Sequence, residues 1–168
     1  MNTVYLLLGG NIGNVPDTFS KTIELIKNHI GFITEASAVY YTEPWGFESD
    51  NLFYNQALAV KTKLAPRALL SAVLSIESMM GRRRQNPGYE SRIIDIDILL
   101  YNGKVINEKG LEIPHPRMHL RRFALIPLVD IDPGLKHPVF DKTVYKLLEE
   151  CDDKQGVYLL SNNNINKL

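Results

Sequence analysis

The run Arg92-Ile93-Ile94-Asp95-Ile96-Asp97-Ile98-Leu99-Leu100 is dense in β-branched residues and reads as a strand. Side chains alternate faces along a strand, so Asp95 and Asp97 share one side. Ile94, Ile96 and Ile98 turn to the other and supply a core. Two carboxylates on one face repel each other and are costly if dry, and a cation between them removes that cost. Hard oxygen ligands suit Mg²⁺, which keeps several waters and shares its remaining positions with substrate phosphates. An isolated Asp-x-Asp is more often an ordinary half-exposed strand with two solvated carboxylates. Here the neighbourhood shifts the balance, because Arg92 lies three residues upstream of Asp95 and Arg82, Arg83 and Arg84 shortly before it. A phosphate clamp and a solvated basic loop are both consistent with that cluster.

The chain of 168 residues suits one domain with a real core, over residues 1–160, followed by an Asn-rich polar tail at 161–168 that is expected to fray. Apolar residues make up 45% and charged residues 23%, ordinary values for a globular protein, and the formal net charge is zero. Zero net charge argues against bulk nucleic-acid or membrane-surface binding. The one cysteine, Cys151, excludes a disulfide framework and a cysteine-rich zinc site, and fits a reducing, cytoplasmic setting. The N-terminal apolar run has no basic flank and is too short for a signal or membrane span.

Around the Asp strand the elements follow in order. Thr3 to Leu8 is a continuous apolar strand, and Gly9 to Asn14 reads as a turn that needs positive φ rather than as a phosphate loop. Phe19, Ile23, Ile26 and Ile30 have helical spacing over Pro16 to His29. Phe32 to Tyr41 reads as a second strand, and Thr42 to Asn51 as a loop in which Trp45 and Phe47 are out of place unless they cover something. Phe53 to Lys61 is a third strand, with Phe53, Asn55, Ala57 and Ala59 on one face. Asn55 there is either an exposed polar residue or a paired donor and acceptor for a flat, amide-like ligand edge. Ala65-Pro66 opens a helix to Met80, whose stripe is Leu69, Leu70, Val73, Leu74 and Ile76 and whose stop is Gly81. Glu77 in its last turn opposes the helix dipole and calls for a cation.

Arg82 to Ser91 reads as a mobile loop carrying arginines. Tyr101-Asn102-Gly103-Lys104 is a type I′ hairpin signal, with Val105-Ile106 returning as the next strand. Leu111 to Pro116 is held extended by its prolines. Pro116 keeps His115 and His119 off one helical face, which argues against a metal pair. Arg121 to Ile131 reads as a helix with Pro127 as a point of kinking. Thr143 to Glu150 is a short helix, and Val157 to Leu160 a closing apolar segment. Hairpins and crossovers both occur without strict alternation, which fits an α+β sandwich: a mainly antiparallel sheet covered by helices.

Taken together, these residues resemble the 6-hydroxymethyl-7,8-dihydropterin pyrophosphokinases of folate biosynthesis, over Val4 to about Leu148. The resemblance is carried by Gly9-Gly10-Asn11, Tyr41 to Gly46, Phe53-Tyr54-Asn55, Glu77 to Arg84, Arg92 to Leu99, Pro114 to Met118 and Arg121-Arg122-Phe123. It implies a ferredoxin-like α+β fold and transfer of pyrophosphate from ATP, the co-substrate, to the pterin hydroxymethyl group with release of AMP. It also implies that Asp95 and Asp97 hold two Mg²⁺ ions. Thr42, Pro44, Trp45, Phe53, Asn55 and Phe123 would form the pterin pocket, with the pterin between Phe53 and Phe123. Arg82 and Arg92 would be catalytic contacts to the phosphates, assisted by His115 and Arg121. Leu70, Ile98 and Leu111 would pack around adenine, with Glu77 and Arg84 completing the ATP site. The partners implied are small molecules alone, with no nucleic acid or membrane, and a monomer is expected.

Two other classes use the same features. A different Mg²⁺-dependent enzyme acting on nucleotides or nucleic acid could use the Asp strand, but would want a basic groove that zero net charge opposes. A non-catalytic RNA-binding module would want strand aromatics interleaved with lysines. The third strand has Phe53 and Tyr54 but few neighbouring lysines.

Overall fold

The computed structural model describes residues 1–43, 52–81 and 93–161. A six-stranded sheet runs in the order β10-β3-β4-β1-β5, with β2 also paired to β4. Its strands are β1 (Asn2–Gly10), β2 (Gly31–Ala36), β3 (Tyr40–Thr42), β4 (Phe53–Thr62), β5 (Asp95–Tyr101) and β10 (Val157–Leu159). All of its pairings are antiparallel. Helices α1 (Val15–His29) and α2 (Pro66–Met79) cover one face, and α3 (Arg122–Ile131) and α4 (Val144–Glu150) the other. This is the expected α+β sandwich of an antiparallel sheet covered by helices.

The larger core lies under α1 and α2. There Val4, Leu6 and Leu8 of β1 meet Phe19 and Ile26 of α1, Leu69, Val73 and Ile76 of α2, and Ile94, Ile96 and Ile98. Burying each such side chain stabilises the fold by about 1.5–3 kcal/mol before entropy is charged against it. The second core is smaller: Leu7, Ala57, Leu99 and Leu100 pack against Met118, Ala124, Leu128 and Val144. β1 therefore buries alternate residues in two different cores, as its unbroken apolar run requires.

Local signals hold at most boundaries. The Asn14 side chain accepts from Asp17 N at 3.2 Å and caps α1. Gly13 has φ 70° in the turn before it, whereas Gly9 and Gly10 belong to β1. Gly81, at φ 88°, follows α2. Leu74 is 40% exposed and is not part of the core stripe. The helix α3 runs through Pro127 without a break.

Two connections also differ from the expectation. The segment 32–41 is two strands, because Ser37 interrupts it: Ser37 N donates to Ala57 O at 2.9 Å, and Ser37 Oγ accepts from Ala57 N at 2.9 Å. One residue supplies both partners of Ala57, and β2 and β3 pair with separate parts of β4. The second change follows the Asn102-Gly103 turn, where both residues have positive φ (54° and 91°) and Lys104 N donates to Tyr101 O. The chain does not return beside β5. β6 (Ile106–Glu108) pairs with β7 (Leu111–Ile113) in a separate ribbon. Asn102 instead engages β1, with its N donating to Thr3 O and its Oδ1 accepting from Thr3 N. A second ribbon joins β8 (Lys136–His137) to β9 (Lys142–Thr143).

Candidate active site

The register sets the floor of a cavity of about 540 Å³ on the α3 side of the sheet. Gly9 pairs with Asn55 on one side and Asp95 on the other, Leu7 with Ala57 and Asp97, and Thr42 with Phe53. Directly paired residues share a face, so Asp95, Asp97, Asn55, Phe53 and Thr42 all project to one side. All five line the cavity, as do Phe123 and Arg121 from the start of α3. Gly9 keeps the floor low: a β-carbon there would lie 3.1 Å from Asn55 Nδ2 and 3.9 Å from Asp95 Cβ.

Asn55 is 9% exposed, and its Nδ2 donates to Leu8 O at 3.3 Å, which fixes the amide on the cavity floor. It is therefore not the exposed strand residue of the first alternative. The Arg121 guanidinium lies 5.4 Å from the Phe123 ring centroid, a cation–π contact. Flat apolar walls, a buried amide at the floor, two carboxylates and a guanidinium thus converge on one volume. Such a set suits a flat polar heterocycle beside an anionic, metal-bound group.

His115 stands over the carboxylate end. Its backbone N donates to Leu99 O at 2.9 Å, and its Nδ1 accepts from Arg117 N at 3.1 Å. The ring proton of the neutral imidazole is therefore on Nε2, which lies 4.0 Å from Asp97 Oδ1. Burial lowers its pKa from 6.5 to about 4, helped by the charges of Arg121 and Arg117 and opposed by Asp95. It is a neutral donor at pH 7.

The donor chemistry at Asp95 and Asp97 fits Mg²⁺. They are two hard oxygen ligands on one face of one strand. Among the described residues no group of three or more His, Cys, Asp or Glu could hold a metal. Mg²⁺ held by one or two carboxylates takes its remaining ligands from substrate phosphates and water.

Other expected site residues lie elsewhere. Ile98 and Leu111 are buried in the larger core and Leu70 packs against it, so none of the three lines this cavity. Glu77 is 2% exposed on α2. Pro44, Trp45, Arg82, Arg84 and Arg92 lie outside the described residues, as do the loop expected at 82–91 and most of the tail. The cavity also takes Arg117, Asp152, Asp153 and Gln155, which the sequence reading missed. The acids at 152 and 153 stand in a segment without periodicity, and only the pairing of β10 with β3 brings them to the site.

Residues 5–133 match the family described as 7,8-dihydro-6-hydroxymethylpterin-pyrophosphokinase. A 2-amino-4-hydroxy-6-hydroxymethyldihydropteridine pyrophosphokinase of Aquifex aeolicus is 39% identical over 150 residues, 89% of this chain and 92% of the relative. One from Porphyromonas gingivalis is 40% identical over 141 residues, 82% of this chain and 95% of the relative. Among solved structures, the wild-type Plasmodium falciparum HPPK-DHPS with STZ-DHP superposes with a TM-score of 0.74 at 20% identity, over 89% of this chain and 43% of that one. That likeness concerns the fold.

Proposed function

The chain belongs to the 7,8-dihydro-6-hydroxymethylpterin-pyrophosphokinase family, and on that footing we propose how its own residues carry the reaction. It transfers pyrophosphate from ATP to the hydroxymethyl group of 6-hydroxymethyl-7,8-dihydropterin in folate biosynthesis, releasing AMP. The pterin stacks between Phe53 and Phe123, and Asn55 and the Thr42 backbone meet its polar edge, with Pro44 and Trp45 completing the pocket. The cavity that Thr42, Phe53, Asn55 and Phe123 line together supports this.

Asp95 and Asp97 hold two Mg²⁺ ions, which when bound neutralise the phosphates of ATP. The remaining work of the chain is positioning and charge, as phosphoryl transfer requires. The pterin hydroxyl is held in line with the β-phosphorus. Arg82, Arg92 and Arg121 meet charge developing on the phosphates. His115 donates from neutral Nε2 to a phosphate oxygen, adding direction without charge. Leu70, Ile98 and Leu111 pack around adenine at the β5 edge of the sheet, with Glu77 and Arg84 as further ATP contacts.

Residues 1–160 act as one domain and 161–168 as a polar tail, which the inclusion of β10 in the main sheet supports. The protein works as a cytoplasmic monomer. The single free cysteine, Cys151, supports the reducing compartment. Among the described residues no helix is long and apolar enough to cross a membrane.

The observation that carries the proposal is the shared face of Asp95, Asp97 and Asn55 across Gly9. The test mixes protein, ATP, Mg²⁺ and the dihydropterin and follows AMP. AMP is expected only with pterin present, and Asn55→Ala is expected to raise the pterin KM and leave the ATP KM unmoved. An unchanged pterin KM overturns the pocket assignment.

A further inference from the structure

The two walls of the pterin pocket come from different layers. Thr42 and Phe53 stand on the sheet, and Phe123 on the first turn of α3. Stacking needs a fixed gap between them, so something must hold the start of α3 relative to the end of β3.

The N-terminus of α3 has no cap of its own, since the Arg121 side chain makes no capping bond. The first helical amides need acceptors from elsewhere. Asp153 Oδ2 accepts from Arg122 N at 2.9 Å, a cap delivered from a distant segment, and a carboxylate there also suits the helix dipole. Asp153 Oδ1 accepts from Gln155 N at 2.9 Å. Gln155 Nε2 in turn donates to Glu43 O at 3.1 Å. Two residues further on, Val157 pairs with Thr42 as β10 joins the sheet. Both Asp153 and Gln155 line the cavity.

We propose that Asp153 and Gln155 are positioning residues for the pterin, clamping the first turn of α3 to the end of β3 so that Phe123 is held at stacking distance from Phe53. The clamp acts through Arg122 N and Glu43 O and makes no demand on ATP. It deepens the pocket reading above and rests on Phe123 being a wall of that pocket.

The test compares steady-state kinetics of Asp153→Ala, Gln155→Ala and Phe123→Ala in the full chain, with pterin and MgATP varied separately. Asp153→Ala is expected to raise the pterin KM about tenfold, the factor for losing one cap of ordinary strength. The ATP KM is expected to stay level and kcat to stay within about threefold of wild type. Gln155→Ala leaves the cap on α3 and removes only the link to Glu43, so its pterin KM is expected to rise about fivefold, the size of one net hydrogen bond. If Asp153→Ala does not fold, Gln155→Ala decides alone. A raised pterin KM in Phe123→Ala with wild-type values in the other two overturns the clamp and leaves the pocket standing. A parallel rise in both KM values in the clamp variants reduces their role to general stability and also overturns it. An unchanged pterin KM in Phe123→Ala overturns the pocket and the clamp together.

Discussion

His115 Nε2 lies 4.0 Å from Asp97 Oδ1, and the two are not an ion pair at neutral pH, because burial and the charges of Arg121 and Arg117 hold the imidazole neutral down to about pH 4. An unfolded His115 titrates near 6.5. Between those values the unfolded chain carries more protons, so stability rises with pH. The contribution is complete above the unfolded value and is lost as pH falls toward 4. At most it amounts to about 3 kcal/mol. His119 and His137, also lowered by burial, add slopes of the same sign. His115→Gln in metal-free buffer is therefore expected to show a flatter rise of urea-unfolding free energy with pH than wild type. Parallel curves would mean that His115 is not held neutral by the fold.

Asp97 shares its face and its cavity with Asp95, so the two bring their carboxylate oxygens to one volume. Asp97→Asn removes one of those charged ligands at nearly constant shape. Turnover is expected to fall by at least about 10³-fold, the scale of removing a preorganised charge from a phosphoryl-transfer site. The metal-free variant is expected to remain folded, with one cooperative melting transition. The added stability that MgATP gives wild type is expected to vanish. Scanning calorimetry with and without MgATP, beside AMP release, reads all three, and wild-type turnover by this variant would remove Asp97 from the metal site.

How far the chain could be read in advance depends on whether a feature is local. Asp95 and Asp97 fall on one face of a strand by alternation alone, and Gly81, Asn14 and the Asn102-Gly103 turn act through their own backbone. Nothing local says that β6 pairs with β7 in a separate ribbon instead of returning beside β5. Likewise Asp153 and Gln155 reach the cavity only because β10 pairs with β3. The split at Ser37 is of the same kind: the residue has no breaker character, and its partner Ala57 is twenty residues away.

That split makes a stability prediction free of catalysis. Ala57 is fully buried, and its N–H has the Ser37 hydroxyl as acceptor. Ser37→Ala leaves that donor unpaired, at a cost of about 1–3 kcal/mol. Urea unfolding is expected to register the loss, while both KM values remain near wild type because Ser37 does not line the cavity. A variant as stable as wild type would mean that the amide finds another acceptor.

Gly9 offers the sharpest separation of site from scaffold. It lies in the middle of the floor, and its β-strand backbone accepts any residue, so alanine brings no conformational penalty there. The added methyl would meet Asn55 Nδ2 at 3.1 Å, closer than ordinary contact, and the amide must give by a few tenths of an ångström. That amide is held by its bond to Leu8 O, so the shift weakens the bond and misaims the group at the ligand edge. Gly9→Ala is expected to change unfolding free energy by less than about 1 kcal/mol, since alanine gains over glycine in the chain entropy of the unfolded state. The pterin KM is expected to rise by up to about fivefold, the most that one weakened net hydrogen bond of ordinary strength produces. The ATP KM is expected to hold. A pterin KM that does not move, in a variant that folds normally, would mean that the substrate does not lie over this floor.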